Sequence, residues 1–308
     1  TENHVTFAAG SQVPVFSVPV EVNMTLDLAS ILTQAASSLS LFHMNIKSPE
    51  WRWGRFSLAA AVNGYALKGM LGQDGSYLYP ELRISHRLTP IHTIQLAFHP
   101  SIRFATLREM TRQYRYLSGS AVIRHPNDQF VLSGWTESVW SSELTTRATF
   151  EYERSTGIAL YDDSTGIGTL AYGGITTTAS VRFDGVAYIT PIDYFALAVT
   201  ARSTHNDMTG GSVPYVPGFE GSGMYRHEFP EDIVVTASLS GYGSRRAAVL
   251  TDRRAAGGFW TGLKAEYVGF PRLTVFVNFE NLLDRRDEVW RGYRVEPFRA
   301  DMGLSYRW

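Results

Sequence analysis

The sequence predicts an all-β fold: a transmembrane antiparallel β-barrel of about 14 strands, with about 16 as the alternative. Three observations predict it. Apolar and polar side chains alternate with a period of two along segment after segment, short connections rich in Pro alternate with long polar ones, and aromatic residues collect beside the short connections.

The elements follow in order. A first strand at about residues 14–30 and a second at about 40–47 flank the polar stretch Ile31 to Leu39. Ser48-Pro49-Glu50 turns the chain into a strand at about 52–69, and Met70 to Gly75 leads to one at about 76–88. Thr89-Pro90-Ile91 opens a strand at about 91–104, and the long stretch Ala105 to Asp128 precedes a strand at about 129–140. Beyond a turn at Ser141-Ser142, Leu144, Thr146, Ala148, Phe150 and Tyr152 alternate with Thr145, Arg147, Thr149, Glu151 and Glu153, a strand at about 142–154. Ser155 to Gly174 is the next long loop; strands at about 175–188 and 193–205 meet at Thr190-Pro191-Ile192. After Asn206 to Glu220, strands at about 221–229 and 232–243 meet at Phe229-Pro230-Glu231, with Val235, Ala237 and Leu239 opposing Thr236, Ser238 and Ser240. After Ser244 to Ala256, strands at about 257–268 and 272–283 meet at Phe270-Pro271-Arg272. Asp284 to Pro297 leads to the last strand, about 298–308, where Phe298, Ala300, Met302, Leu304, Tyr306 and Trp308 alternate with Arg299, Asp301, Gly303, Ser305 and Arg307. Thr1 to Val13 is left as an N-terminal periplasmic segment, and residues 14–308 form the barrel domain, both ends of which fall on the short-turn side.

Several of these strands exceed the roughly 5–6 residues of a globular strand and reach the roughly 9–11 that cross a bilayer when tilted. Short turns at one end and long loops at the other are the asymmetry of an outer-membrane barrel, whose turns face the periplasm and whose loops face outward. Trp51, Trp53, Trp140, Tyr188, Tyr194, Phe229, Phe270 and Trp308 beside the short turns would form an interfacial girdle.

Composition removes competing classes. The chain has 308 residues, 28 basic against 29 acidic, and a net charge of -1, which argues against a general grip on nucleic acid. Cysteine is absent, so thiol nucleophiles, disulfides and Cys-ligated metals are excluded. The weakly polar stretch Ser57 to Leu71 is broken by Asn63 and Lys68, too short for a spanning helix. All but Lys47, Lys68 and Lys264 among the bases are Arg, the residue suited to bidentate ion pairs.

Three stretches carry a resemblance. VFVNFENLLDRRDEVWRGYRVEPFRADMGLSYRW resembles the closing hairpin of TonB-dependent receptors, in which a strand runs into Asn-Leu-Phe-Asp, a loop follows and the last strand ends on an aromatic. Asn281, Leu282, Leu283 and Asp284 occupy that box, with Leu283 where Phe is usual. YPELRISHRLTPIHTIQLAFHPSIRFATLREM resembles a strand, turn and strand of the same family, and Ala179 to Pro191 a downward strand with a Gly before its end. The resemblance implies a barrel reduced by loss of the plug domain, placed in the bacterial outer membrane. It also implies that Phe298, Leu304, Tyr306 and Trp308 form a C-terminal signal read by the barrel-assembly machinery. With only Thr1 to Val13 ahead of the first strand, neither plug nor energy-coupling box is expected, so energised uptake is not carried over.

No motif specifies an enzyme or a cofactor. The eight His stand singly, Asp162-Asp163 and His205 with Asp207 read as solvated loop residues, and the Gly pairs lack a following helix. The informative set is polar and inward: Arg83, Arg87, Glu143, Arg147, Glu151, Glu153, Arg182, Asp184, Lys264, Glu266, Glu280, Arg299, Asp301 and Arg307. Their mixed signs suggest an ion-pair lattice across the lumen wall that either supports the barrel or lines a conduit. Loop residues Arg245, Arg246, Arg253, Arg254, Arg285, Arg286, Arg291 and Arg294 add basic charge to the outer rim, either as solvated loop charge, the commoner case, or as a site for lipopolysaccharide phosphates or an anionic solute. The expected function is porin-like passage of small polar solutes. The alternative is a non-transporting barrel that anchors an envelope complex, with other envelope proteins as partners.

Overall fold

The computed structural model describes residues 2–15, 18–31, 37–68, 73–113, 122–162, 168–249, 253–290 and 293–307. One antiparallel sheet of seventeen strands dominates these residues. Two of its strands, Trp51–Trp53 and Ser101–Ile102, are short accessories. The other fifteen form the wall: β1 (Glu2–Val15), β2 (Val18–Ile31), β3 (Ser37–Lys47), β4 (Phe56–Lys68), β5 (Gly75–Arg87), β6 (His92–Phe98), β7 (Asn127–Val139), β8 (Leu144–Thr156), β9 (Thr176–Thr190), β10 (Asp193–Asn206), β11 (Phe219–Phe229), β12 (Ile233–Tyr242), β13 (Gly258–Phe270), β14 (Leu273–Glu280) and β15 (Arg299–Tyr306). Each pairs with its predecessor and its successor in sequence, a meander of hairpins.

The fourteen expected strands are present, and a fifteenth precedes them. Glu2 to Val13, expected outside the barrel, is strand: it lies along β2, with Val5 opposite Leu28, Phe7 opposite Leu26 and Val13 opposite Val20. The small run Ala8-Ala9-Gly10 mutes the alternation there, and the apolar run Val13 to Val20 hides a hairpin in which Val15 faces Val18. That hairpin adds a short connection, so short and long connections number seven each and the first strand starts at the long-loop end. The expected pairing of first and last strands is absent among the described residues, where β1 and β15 are both free edges.

The short turns are built by Pro and by left-handed residues. In Pro271-Arg272, Pro fixes the first turn residue and Arg272 takes φ 64°, a type II turn for which Gly is the unstrained residue. Asp232 does the same at the end of Pro230-Glu231-Asp232, with φ 58°.

The sheet has two unlike faces. On one lie exposed apolar side chains such as Leu78, Val181, Leu239, Met302 and Leu304, a surface too large to be left to water. Hydrophobic burial is concentrated instead among the long loops. Ala105 and Met110, Ile123, Tyr161, Tyr215, Ala247 and Ala255 pack with Ala29 and Leu39 at the tops of β2 and β3, so connections from around the sheet share one core. Within it α1 (Leu107–Gln113) opens on a capping box, where the Glu109 amide donates to Thr106 Oγ1 at 3.1 Å and the Thr106 amide donates to the Glu109 carboxylate at 3.3 Å.

Candidate functional site

The face opposite the exposed apolar one carries the polar residues. The register puts Arg83 beside Ala59 and Ala97, Arg147 beside Glu137 and Asp184, Glu151 beside Ser133 and Ser180, and Lys264 beside Thr236 and Asn278. Arg87, Arg182, Glu266, Arg299 and Asp301 fall on the same face by the same period of two, and Glu143 precedes β8 in that phase.

The ion pairs run along strands more than across them. Arg182 meets Asp184 at 2.6 Å, Lys264 meets Glu266 at 2.7 Å, Arg226 meets Glu228 at 2.7 Å and Arg83 meets Glu81 at 3.4 Å, each two residues apart. Residues i and i+2 share a face about 7 Å apart along the strand, within reach of long side chains. Cross-strand links include Arg202 to Glu220 at 3.1 Å, Arg299 to Glu280 at 2.9 Å and Arg147 to Glu137 at 4.0 Å, with His4 beside Asp27 at 3.3 Å. Exposed pairs of this kind add little stability, so their use is the charged surface they present.

A buried ionic cluster sits where the sheet meets the loops. Asp128, 3% exposed, accepts from Arg103 Nε at 2.7 Å and from Ser155 Oγ at 2.8 Å; Arg103 also reaches Glu153 at 3.2 Å. Beside it runs an uncharged ladder, which a pattern of charged residues does not reveal. His43 stacks on Tyr65 with centroids 4.5 Å apart, and Asn63 Oδ1 accepts from Asn45 at 2.7 Å and His43 at 3.0 Å. The Tyr79 hydroxyl donates to Asn127 Oδ1 at 2.6 Å. The signal was present in the alternation of Tyr77 and Tyr79 with Leu78, and of Asn63 and Tyr65 with Gly64. Trp135, also outside that pattern, lies 4.4 Å beneath the Arg147 guanidinium. Two hollows of about 350 and 400 Å³ open on this face, the first between Arg182, Glu220 and Trp260, the second between Tyr188, Tyr194, Arg226 and Glu266. Tyr188 and Tyr194 therefore face inward, with rings 5.2 Å apart, and are not part of the girdle expected from sequence; Trp51, Trp53, Trp140, Phe229 and Phe270 are exposed beside their turns.

The loop arginines are tied into the loops. Arg245 lies 4.0 Å over the Tyr242 ring and donates to the Glu288 carbonyl at 3.1 Å, Arg246 donates to the Val249 carbonyl at 3.0 Å, and Arg285 pairs with Asp287 at 3.0 Å. Arg291 lies outside the described residues, as do Asp163 and Trp308. His125 is fully buried in the loop core, its Nδ1 accepting from the Ala105 amide at 3.0 Å, and burial pushes its pKa down to about 4. Tyr172, whose hydroxyl donates to the Val122 carbonyl at 2.9 Å, is pushed up to about 12 by the same cause. His205 and Asp207 stand 3.7 Å apart and exposed, and among the described residues no three His, Asp or Glu gather as a metal site.

The Asn-Leu-Leu-Asp box fastens the last loop. Asn281 and Asp284 take φ 50° and 46°. Buried Asn281 accepts from the Arg285 amide at 3.0 Å and donates to the Glu296 carbonyl at 2.8 Å, while the Phe298 amide donates to Asp284 at 3.0 Å, closing the loop above β14 and β15. That amide, with the Arg286 guanidinium, holds the Asp284 carboxyl below the usual range. Phe298, Leu304 and Tyr306 are exposed on or beside β15.

No family model matches the chain, and no curated protein does. Solved structures do. The ferric-catecholate import receptor Fiu of E. coli K12 is 14% identical with a TM-score of 0.67. The ferric enterobactin receptor PfeA of Pseudomonas aeruginosa is 11% identical at 0.73, and the FrpB iron transporter of Neisseria meningitidis 8% identical at 0.73. Each match covers 99% of this chain and 54% of the other, so the chain spans about half the length of the structures it matches. Over that span the chain shares the fold of these outer-membrane receptors and transporters, an antiparallel sheet of the β-barrel kind.

Proposed function

We propose that the chain works in the bacterial outer membrane as part of a transport barrel that binds small polar solutes and passes them along its inward face. The observation that carries this reading is the division of the sheet, with mixed charges and amide and hydroxyl groups on one face and an exposed apolar band on the other. On this reading the short turns face the periplasm, the long loops face outward, and lipopolysaccharide surrounds the outer rim. The named neighbours, receptors and transporters of iron or its chelates, support transport over catalysis. Solute flux through purified protein reconstituted in planar bilayers and liposomes is the test. Ion conductance that falls when Arg182 and Glu220 are both replaced by Ala is expected, and a folded, inserted barrel that passes neither ions nor small sugars overturns it.

The packed loop core favours a second reading, a barrel whose outer end is shut and which anchors an envelope assembly. Conductance that appears only after the core is opened, as by Met110→Asp, would select it.

A further inference from the structure

The inward wall between β9 and β13 carries the hollow of about 350 Å³, within the roughly 300–1,000 Å³ of a small-molecule cleft. Register builds it. One row across the strands runs Asp184, Ala198, Ser222, Ser240 and Trp260, so three small side chains in succession make a floor two strand spacings, about 10 Å, across. The next row toward the long loops runs Arg182, Thr200, Glu220 and Tyr242, and the next toward the short turns places Met224 between Ala196 and Ser238. The longer side chains of these rows form the rims. At one end of the floor the Tyr242 and Trp260 rings meet with centroids 5.4 Å apart and planes at 67°, an aromatic corner.

The charges that line the hollow are already held by neighbours. Arg182 donates to Asp184 through three hydrogen bonds of 2.6 to 2.9 Å, and Arg202 donates to Glu220 at 3.1 Å. An anionic solute would have to take Arg182 from Asp184, and a cationic one would have to take Glu220 from Arg202. What stays open is neutral. Among the described residues the Ser222 and Ser240 hydroxyls on the floor and the Trp260 indole N–H at its end have no protein partner. The ion pairs themselves keep room for uncharged hydroxyls, because a carboxylate has about four lone-pair sites and a guanidinium about five N–H donors.

This chemistry calls for a solute that is uncharged, rich in hydroxyls and apolar on one face. A sugar ring meets all three conditions, with hydroxyls around its edge and C–H groups on its faces that rest against the electron-rich face of an aromatic ring. We propose that this hollow binds a neutral sugar, with its ring against Trp260 and its hydroxyls on Ser222, Ser240 and the spare positions of Arg182 and Glu220. The proposal rests on the transport reading above and names the class of solute.

The test is binding of glucose to the full chain in a detergent without a sugar headgroup, titrated by saturation-transfer NMR beside glucuronate and glucosamine, its anionic and cationic counterparts. Glucose is expected to bind wild type more tightly than either. Trp260→Ala is expected to weaken glucose about tenfold, while Trp260→Phe, which keeps a ring face, retains most of the affinity. Trp140→Ala, beside a short turn and away from the hollow, should leave it unchanged. Heat-modifiable mobility establishes folding for every variant. Glucuronate or glucosamine binding as tightly as glucose overturns the proposal, and so does an affinity that Trp260→Ala leaves intact. Flux through liposomes is read separately. A barrel that binds glucose at Trp260 and passes no solute upholds the site and overturns the conduit; one that passes ions without binding glucose overturns the site alone.

Discussion

Arg103 holds Asp128 through two hydrogen bonds, Nε to Oδ2 at 2.7 Å and Nη2 to Oδ1 at 3.0 Å, at the junction of sheet and loop core. Replacing Arg103 by Ala strands the buried Asp128 carboxylate with Glu153 nearby. Because Arg103 is itself half exposed, the expected loss is about 2 kcal/mol, below the roughly 3–5 of a fully buried pair. Asp128→Asn in the same chain should restore most of it. Urea unfolding from detergent micelles measures both, and equal losses in single and double variants would show the pair to be uncoupled.

Leu304 is 69% exposed on the apolar face, and Ser305 falls beside Thr274 on the other. Leu304→Arg is therefore expected to impair insertion, at a midplane cost of about 2–4 kcal/mol, while Ser305→Arg leaves it intact. Insertion into lipid vesicles followed by heat-modifiable mobility checks the pair, and equal effects would mean that the faces are misassigned.

Arg272 adopts φ 64° at the tip of a two-residue turn. Arg272→Gly is expected to stabilise by up to about 1 kcal/mol and Arg272→Val to destabilise by more, because a β-branched side chain resists that region. The midpoint of denaturant unfolding reports both; a Gly variant less stable than wild type would show that the Arg side chain outweighs the backbone.

His125 binds its proton in the closed loop core only near pH 4, against an ordinary 6.5 when exposed. Between those values the opened core takes up a proton that the closed core refuses. Stability of the core is thus full above pH 6.5 and falls as the pH drops toward 4, by at most about 3 kcal/mol. Cleavage within the loop core by an acid-active protease, measured relative to an unstructured peptide at the same pH, should quicken on acidification in wild type and much less in His125→Asn, which keeps an acceptor for the Ala105 amide. A pH profile unchanged by that substitution would remove His125 from the account.

The wall was legible because its rule is local. A period of two needs only neighbours, and it is enough to put Arg147, Arg182 and Lys264 on one face. What it did not reveal depends on other things. β1 was lost because Ala8, Ala9 and Gly10 carry little contrast between faces. The His43, Tyr65 and Asn63 ladder was overlooked because amides and phenols look neutral in a tally of charges, although they bond across strands far apart in sequence. The loop core was invisible for a stronger reason: Met110, Tyr161, Tyr215 and Ala255 share no period and meet only because the sheet brings their loops together.

The two free edges, β1 and β15, bound an odd number of strands and so run in the same direction. Antiparallel zipping of one directly onto the other is geometrically forbidden. A ring completed through these edges has two forms only. Either the gap is spanned by an odd count of further strands, restoring an even total and antiparallel bonding all round, or the edges meet in a single parallel seam with evenly spaced, slanted hydrogen bonds. The amide-exchange pattern of Asn3 to Pro14 against that of Arg299 to Tyr306 would tell these forms apart, because a seam protects both edges in register and inserted strands protect each with a different neighbour.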